Sequence, residues 1–156
     1  MKNKELLRFQ RGLVAVSKLP GVKFAYAVAR NQGKIKSEIE ALQESSKPSE
    51  DHKKFNTERI ELCEKHSEKD ENGVAMQNED GTKYIINDEA AFEKVHVKLT
   101  KKHKIAIDAR NKQLKGFEDI LNEEIEIEFH QVKEVDFPEG ITTEQMINIR
   151  EMMEGL

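Results

Sequence analysis

The chain has 156 residues, of which 37% are apolar, 6% aromatic and 36% charged, with no Trp; this fits one domain with a modest core. The charged share exceeds the ~25% of an average globular chain, which predicts long exposed helices rather than a large core. No apolar run approaches the ~18–20 residues of a membrane span, the opening MKNKELLRFQ is too polar for a secretory signal, and the lone Cys63 excludes an intrachain disulfide, so the expectation is a soluble protein of a reducing compartment with no membrane partner.

The helical pattern begins at once. Lys4–Leu19 reads as a first helix with Leu6, Leu7, Phe9, Leu13, Val14 and Val16 apolar. Pro20–Gly21 ends it, because proline cannot continue the ladder and disfavours helix in the residue before it. From Val22 a second helix carries Phe24, Val28, Ile35, Ile39 and Leu42, whose spacings of 4, 7, 4 and 3 put them on one face. Pro48 in SSKPSED breaks this arm, Ser49 caps its restart, and Phe55, Ile60 and Leu62 carry it to about Glu68. Asn72–Gly73 and Asn78–Glu79–Asp80–Gly81 are turn signals, and VAMQ, NEDG and TKYII predict a β-hairpin within 70–86.

Asn87 or Asp88 then caps the longest helical pattern of the chain, from about Glu89 to Leu121. Phe92, Val95, Leu99, Ala106, Ala109, Phe117 and Ile120 approximate a coiled-coil seam there, interrupted at Lys102 and Gln113. EIEIEFHQV (124–132) changes the period to two, alternating polar residues with Ile125, Ile127, Phe129 and Val132, as a half-buried strand does. Pro138–Glu139–Gly140 turns the chain, and Thr142 with Gln145 resembles a capping box before a short helix carrying Met146, Ile149, Met152 and Met153.

The fold class that follows is mainly α with a small β component, in a single domain over 1–156. Two antiparallel, coiled-coil-like arms, 22–68 and 88–121, form a helical hairpin with the β-hairpin at one end. The first helix, the short acidic strand and the C-terminal helix gather at the other.

Charge is strongly polarised along the chain. Residues 1–36 hold nine Lys or Arg against Glu5 alone, a net of +8, while 118–154 hold twelve acids against Lys133 and Arg150, a net of −10. Such ends attract one another, either within the fold or between copies. The basic end is interleaved with apolar residues rather than clustered, which argues against nucleic acid as its partner.

LPGVKFAYAVARN (19–31), EKDENG (68–73), YIINDEAAFEK (84–94) and ILNEEIEIEF (120–129), in this order and ahead of a short C-terminal helix, resemble a group of small phage-encoded proteins of unknown function. The resemblance implies a phage accessory or structural protein, and it brings no activity and no site residues with it.

Two metal sites can be drawn on the sequence. EKDENGVAMQNE (68–79) lays Glu68, Asp70, Asn72 and Glu79 on the ligand positions of a calcium loop, with Gly73 at its turn. Glu stands where Asp is required, however, and Met76 falls on a ligand position, so a solvated acidic turn explains the same letters. Cys63 and His66, three apart on a helix, share a face, and antiparallel arms turning near Glu79–Asp80 set His96 opposite Cys63. A structural zinc site nearly always needs a fourth ligand. The expectation is therefore no cofactor and no metal.

Catalytic signatures are missing: the sequence has no Gly-rich phosphate loop, no Gly-x-Ser-x-Gly elbow and no His-Glu-x-x-His helix. The function expected is non-enzymatic, that of a phage structural or assembly protein acting through protein–protein contacts in the host cytoplasm or within a virion. A small regulator or host-defence inhibitor that occupies a host protein is the alternative, and a holdase-type helical hairpin a third. Leu6, Phe9, Leu13, Ile125, Ile127 and Phe129, beside opposite charges, are the candidate partner contacts, in a homo-oligomer or with another protein.

Overall fold

In the computed structural model, which describes residues 1–155, the stripe Leu6, Phe9, Leu13 and Val16 winds into helix α1 (Asn3–Val16) with all four side chains buried. The carboxylate of Glu5 accepts the Lys2 amide at 2.7 Å, which satisfies one N-terminal N–H of the helix and holds the Glu5 carboxyl below its ordinary range. After the break at Pro20–Gly21, α2 (Val22–Ser46) buries Phe24, Val28, Ile35, Ile39 and Leu42, the five positions expected to share a face, together with Ala27 and Asn31. Ser49 accepts the His52 amide and starts α3 (Glu50–His66).

Asp88 accepts the Ala91 amide to start α4 (Glu89–Lys102), and α5 (Lys104–Asn122) follows. The single helix expected from about Glu89 to Leu121 is thus interrupted at His103, whose φ of −103° and ψ of 17° leave the helical region. Hydrogen bonds still cross the break, from His103 N–H to Leu99 O and from Ile107 N–H to His103 O, both at 3.1 Å. Thr142 and Gln145 form the expected capping box at the start of α6 (Thr143–Asn148). Single 3₁₀ turns occupy Glu134–Asp136 and Arg150–Met152.

The chain is mainly helical, at 65%. It gathers into two compact units, a finer division than the single domain expected. One holds 1–46 and the chain from Gly116 onward; the other holds Lys47–Lys115.

The first unit has a true core. Leu6, Phe9, Leu13, Phe24, Ile149 and Met152 are all fully buried in one cluster with Val132, Ile35 and Ile39, and full burial of one such side chain stabilises by about 1.5–3 kcal/mol. Phe129 lies 4.6 Å from Phe9 and Phe137 lies 5.5 Å from Phe24, ring centre to ring centre. The oppositely charged chain ends meet here, through Arg8–Glu151 at 2.9 Å and Lys23–Asp136 at 3.0 Å.

The second unit is an antiparallel helix pair closed by a small cap. Phe55 faces His103 and His66 faces Phe92, at 5.6 and 5.9 Å between ring centres, in the pairing that a turn near Glu79–Asp80 requires. In the cap, Glu68 N–H donates to Ile85 O, Ile85 N–H to Met76 O and Met76 N–H to Glu68 O, at 2.8, 3.0 and 2.8 Å. Three short segments thus close on one another in a ring. The expected hairpin pairing is present at Gln77–Tyr84, but each pairing lasts one rung before the partner changes. The small β component therefore exists only as isolated bridges, and no strand forms among the described residues. Gly73 has a φ of +77° at the turn where its N–H donates to Asp70 O, a conformation costly for any residue with a Cβ.

Glycine acts differently in α1. A Cβ on Gly12 would stand 2.6 Å from Asn148 O, so α1 and α6 touch through a bare backbone, whereas a Cβ on Gly33 in α2 would meet nothing within 4 Å. Gly12→Ala should therefore destabilise the protein by about 1–3 kcal/mol through overpacking, while Gly33→Ala should stabilise it by about 0.5–1 kcal/mol through helix propensity. Denaturant midpoints of the two variants check this: the shifts must have opposite signs.

Candidate protein-contact surfaces

The surface of the helix pair in the second unit follows from its thinness. Two helices with no third layer cannot cover their apolar flanks, and Cys63 is the one buried apolar residue among the described residues of this unit. On one flank Leu62 of α3 and Val95 and Leu99 of α4 floor an open groove. Its rims differ in charge: Glu58 and Glu61 stand on α3, Lys98 and Lys102 on α4, and Lys65 closes the end nearer the cap.

The best-defined polar cluster of the unit lies at this rim. Lys102 Nζ donates to Glu58 Oε2 at 2.7 Å, and His103 Nε2 lies 2.9 Å from the same oxygen. These two hydrogen bonds, the Lys102 bond foremost, pull the Glu58 carboxyl down to a pKa of about 2. The His103 side chain is only 10% exposed, so the helix break turns its ring onto α3 and Glu58 anchors it there. Glu58 is absent from the residues that the sequence singles out. The antiparallel pairing was the available signal, since it sets Glu58 opposite the Lys102–His103 pair.

The residues of the two metal sites that can be drawn on the sequence make other contacts. Asp70 Oδ1 accepts the Asn72 and Val74 amides at 2.9 and 2.8 Å, which organises the turn and engages the carboxylate that a calcium loop would need. The Glu68 backbone belongs to the cap ring, and Glu79 lies in the second turn, which the Asn78 side chain holds by accepting the Thr82 and Lys83 amides. Cys63 is buried, while the Phe92 ring takes His66 edge-on and stacks on His96 at 5.5 Å. Phe92 therefore contacts both imidazoles that a zinc site would require. No three His, Cys, Asp or Glu residues lie close enough to hold a metal ion among the described residues.

In the first unit the partner candidates separate into two groups. Leu6, Phe9 and Leu13 are 0% exposed. They are core residues, and this corrects their assignment as partner contacts: the second helix and the extended segment cover the surface that the sequence leaves over. Ile125, Ile127 and Phe129 are half-buried and pack on the same core, with Glu124, Glu126 and Glu128 exposed between them. The period of two is real, but the segment joins no sheet.

What holds this segment are single rungs and side chains. Ile125 N–H donates to Met1 O at 2.8 Å and Val132 N–H to Met152 O at 2.7 Å. Between them the buried Asn31 accepts the His130 amide at 2.7 Å and donates to the His130 carbonyl at 3.0 Å, and Lys34 donates to Glu128 O. The amides of Glu126, Ile127, Glu128 and Phe129 hydrogen-bond to nothing among the described residues. Asn31 escaped sequence reasoning, although its place three after Val28 and four before Ile35 on the apolar face marks it as a polar residue bound for the core.

No helix of the described residues is long and apolar enough to cross a membrane. Comparison with protein-family models, with curated proteins and with solved structures finds no match to this chain.

The Glu58 carboxyl has its pKa lowered from 4.5 to about 2, so its stabilising contribution is fully present above about pH 4.5 and is lost as the pH falls through about 2. Glu58→Gln should thus melt below the wild type at neutral pH, and the two melting temperatures should converge as the pH approaches 2. Added salt should narrow the gap, since the cluster lies at the surface. A gap independent of pH would remove the ionic basis of the cluster.

Proposed function

We propose that this chain is a non-enzymatic phage structural or assembly accessory protein that works by protein–protein contact. The observation that carries the reading is the extended segment 124–132, tied down at its ends, with four consecutive amides open and three Glu side chains facing outward. Unpaired strand edges recruit strands from partners. Here the outward carboxylates favour a partner strand rich in Lys or Arg and disfavour a second copy of the same segment, because like charges would face each other. The phage assignment is supported by the resemblance of 19–31, 68–73, 84–94 and 120–129 to phage-encoded accessory proteins.

The same exposed acidic row supports the alternative, a small regulator or host-defence inhibitor that occupies a basic site on a host protein. The identity of the captured partner separates the two readings, a virion or assembly protein favouring the first and a host protein the second.

The test is affinity capture by the tagged full chain from phage-infected cells, with cross-linking and mass spectrometry of what is retained. A specific partner should cross-link within 124–131. Its recovery should fall at least tenfold when Glu124, Glu126 and Glu128 are all replaced by Lys, since each removed attraction becomes a repulsion. Recovery unchanged by the triple replacement would end the proposal.

A further inference from the structure

A helix pair that buries one apolar residue lacks a layer, and the groove on its flank shows what kind of layer fits. The floor of Leu62, Val95 and Leu99 is apolar, with Val95 39% exposed. The acidic rim lies on α3 and the basic rim on α4. Since the helices are antiparallel and in register, Glu61 stands at the height of Lys98 and Glu58 at the height of Lys102, where Glu58 and Lys102 are in contact at 2.7 Å.

This pattern is self-complementary under one two-fold operation. An axis parallel to the helices lays each α3 on the α4 of a second copy at the same height. Glu61 then meets the partner's Lys98, the Glu58–Lys102 pair already made within each copy stands opposite its counterpart, and every neighbouring helix pair is antiparallel. An axis perpendicular to the helices would instead lay α3 on α3 and α4 on α4 with their heights reversed, setting Glu61 against Glu61 and Lys98 against Lys98, which costs affinity, while only Glu58 is brought toward an opposite charge, the partner's Lys65.

We propose that the groove between α3 and α4 is a docking site for a second copy of this chain, the two helix pairs forming an antiparallel four-helix bundle. Such a bundle supplies the missing layer by covering Leu62, Val95 and Leu99 of both copies. The surface is independent of the extended segment 124–132, so either interaction can fail while the other stands.

Charge exchange across the groove tests the proposal on the full chain. Glu61 and Lys98 are both exposed and outside the Glu58 cluster, so they can be changed without breaking it. By sedimentation equilibrium the wild type should dimerise, and Glu61→Lys and Lys98→Glu should each weaken dimerisation at least tenfold while circular dichroism stays helical. Mixed in equal amounts, the two variants should associate again, because every contact across the two-fold then pairs opposite charges. Lys101→Glu, beside Val97 on the outer side of α4, should leave dimerisation unchanged. A wild type that stays monomeric at its highest soluble concentration would overturn the proposal. So would a mixture no tighter than either variant alone, or a dimer lost in Lys101→Glu.

Discussion

The extended segment 124–132 has no sheet to belong to, and the buried side chain of Asn31 does the work of a neighbouring strand. Its amide takes both the N–H and the C=O of His130, at 2.7 and 3.0 Å, the two groups that a β ladder would have satisfied. A buried peptide group left without partners costs about 1–3 kcal/mol, so the segment can lie on a helix only where such a side chain waits for it. With His130 fixed, the period of two does the rest: Ile125, Ile127 and Phe129 go to the core and the intervening Glu residues to the surface. Together with the single rungs at Ile125 and Val132, the Asn31 amide holds the segment that packs on the core of the first unit and forms its acidic outer face. The chain ends follow, since the Arg8–Glu151 and Lys23–Asp136 pairs join the basic start to the acidic finish.

The second unit is organised on a different balance. Its helices carry apolar residues on one stripe each, enough to join two helices and too few to enclose a core; Cys63 alone is buried on the apolar side. Specific contacts then decide geometry. Phe55 and His103 at one end and His66 and Phe92 at the other set the antiparallel register, and Glu58 fixes the ring of His103 where the helix breaks. The cap follows the same logic. Three segments too short to sustain a ladder satisfy one another by single hydrogen bonds in a ring, with the Asp70 and Asn78 side chains taking up the turn amides.

These two balances shape the surfaces that the units present. Polar groups that could have become a metal centre are used locally, by the turn at Asp70 and by the rings around Phe92. Apolar groups that the helix pair cannot cover remain at its flank, between rims of opposite charge.

By itself the sequence determined the elements and most of their ends. Helical spacing selected the buried faces of α1 and α2, Pro20 and Pro48 set the breaks, and Asp88 and Thr142 with Gln145 set the starts of α4 and α6, because these signals act within a turn or two of chain. It also determined the antiparallel pairing of α3 and α4 and the alternation of 124–129. Contacts between residues far apart in the chain decided what local signals cannot carry. The long helix broke at His103, whose ring lies against Glu58 of α3, the one-rung ring replaced a hairpin, and Leu6, Phe9 and Leu13 went inside because α2 and Phe129 arrived to cover them. Nor could spacing alone show that Asn31 would hold His130, a partner 99 residues away. A hydrogen bond of that reach exists only once the chain has closed on itself, and only the tertiary structure supplies the distance and the burial that make it count.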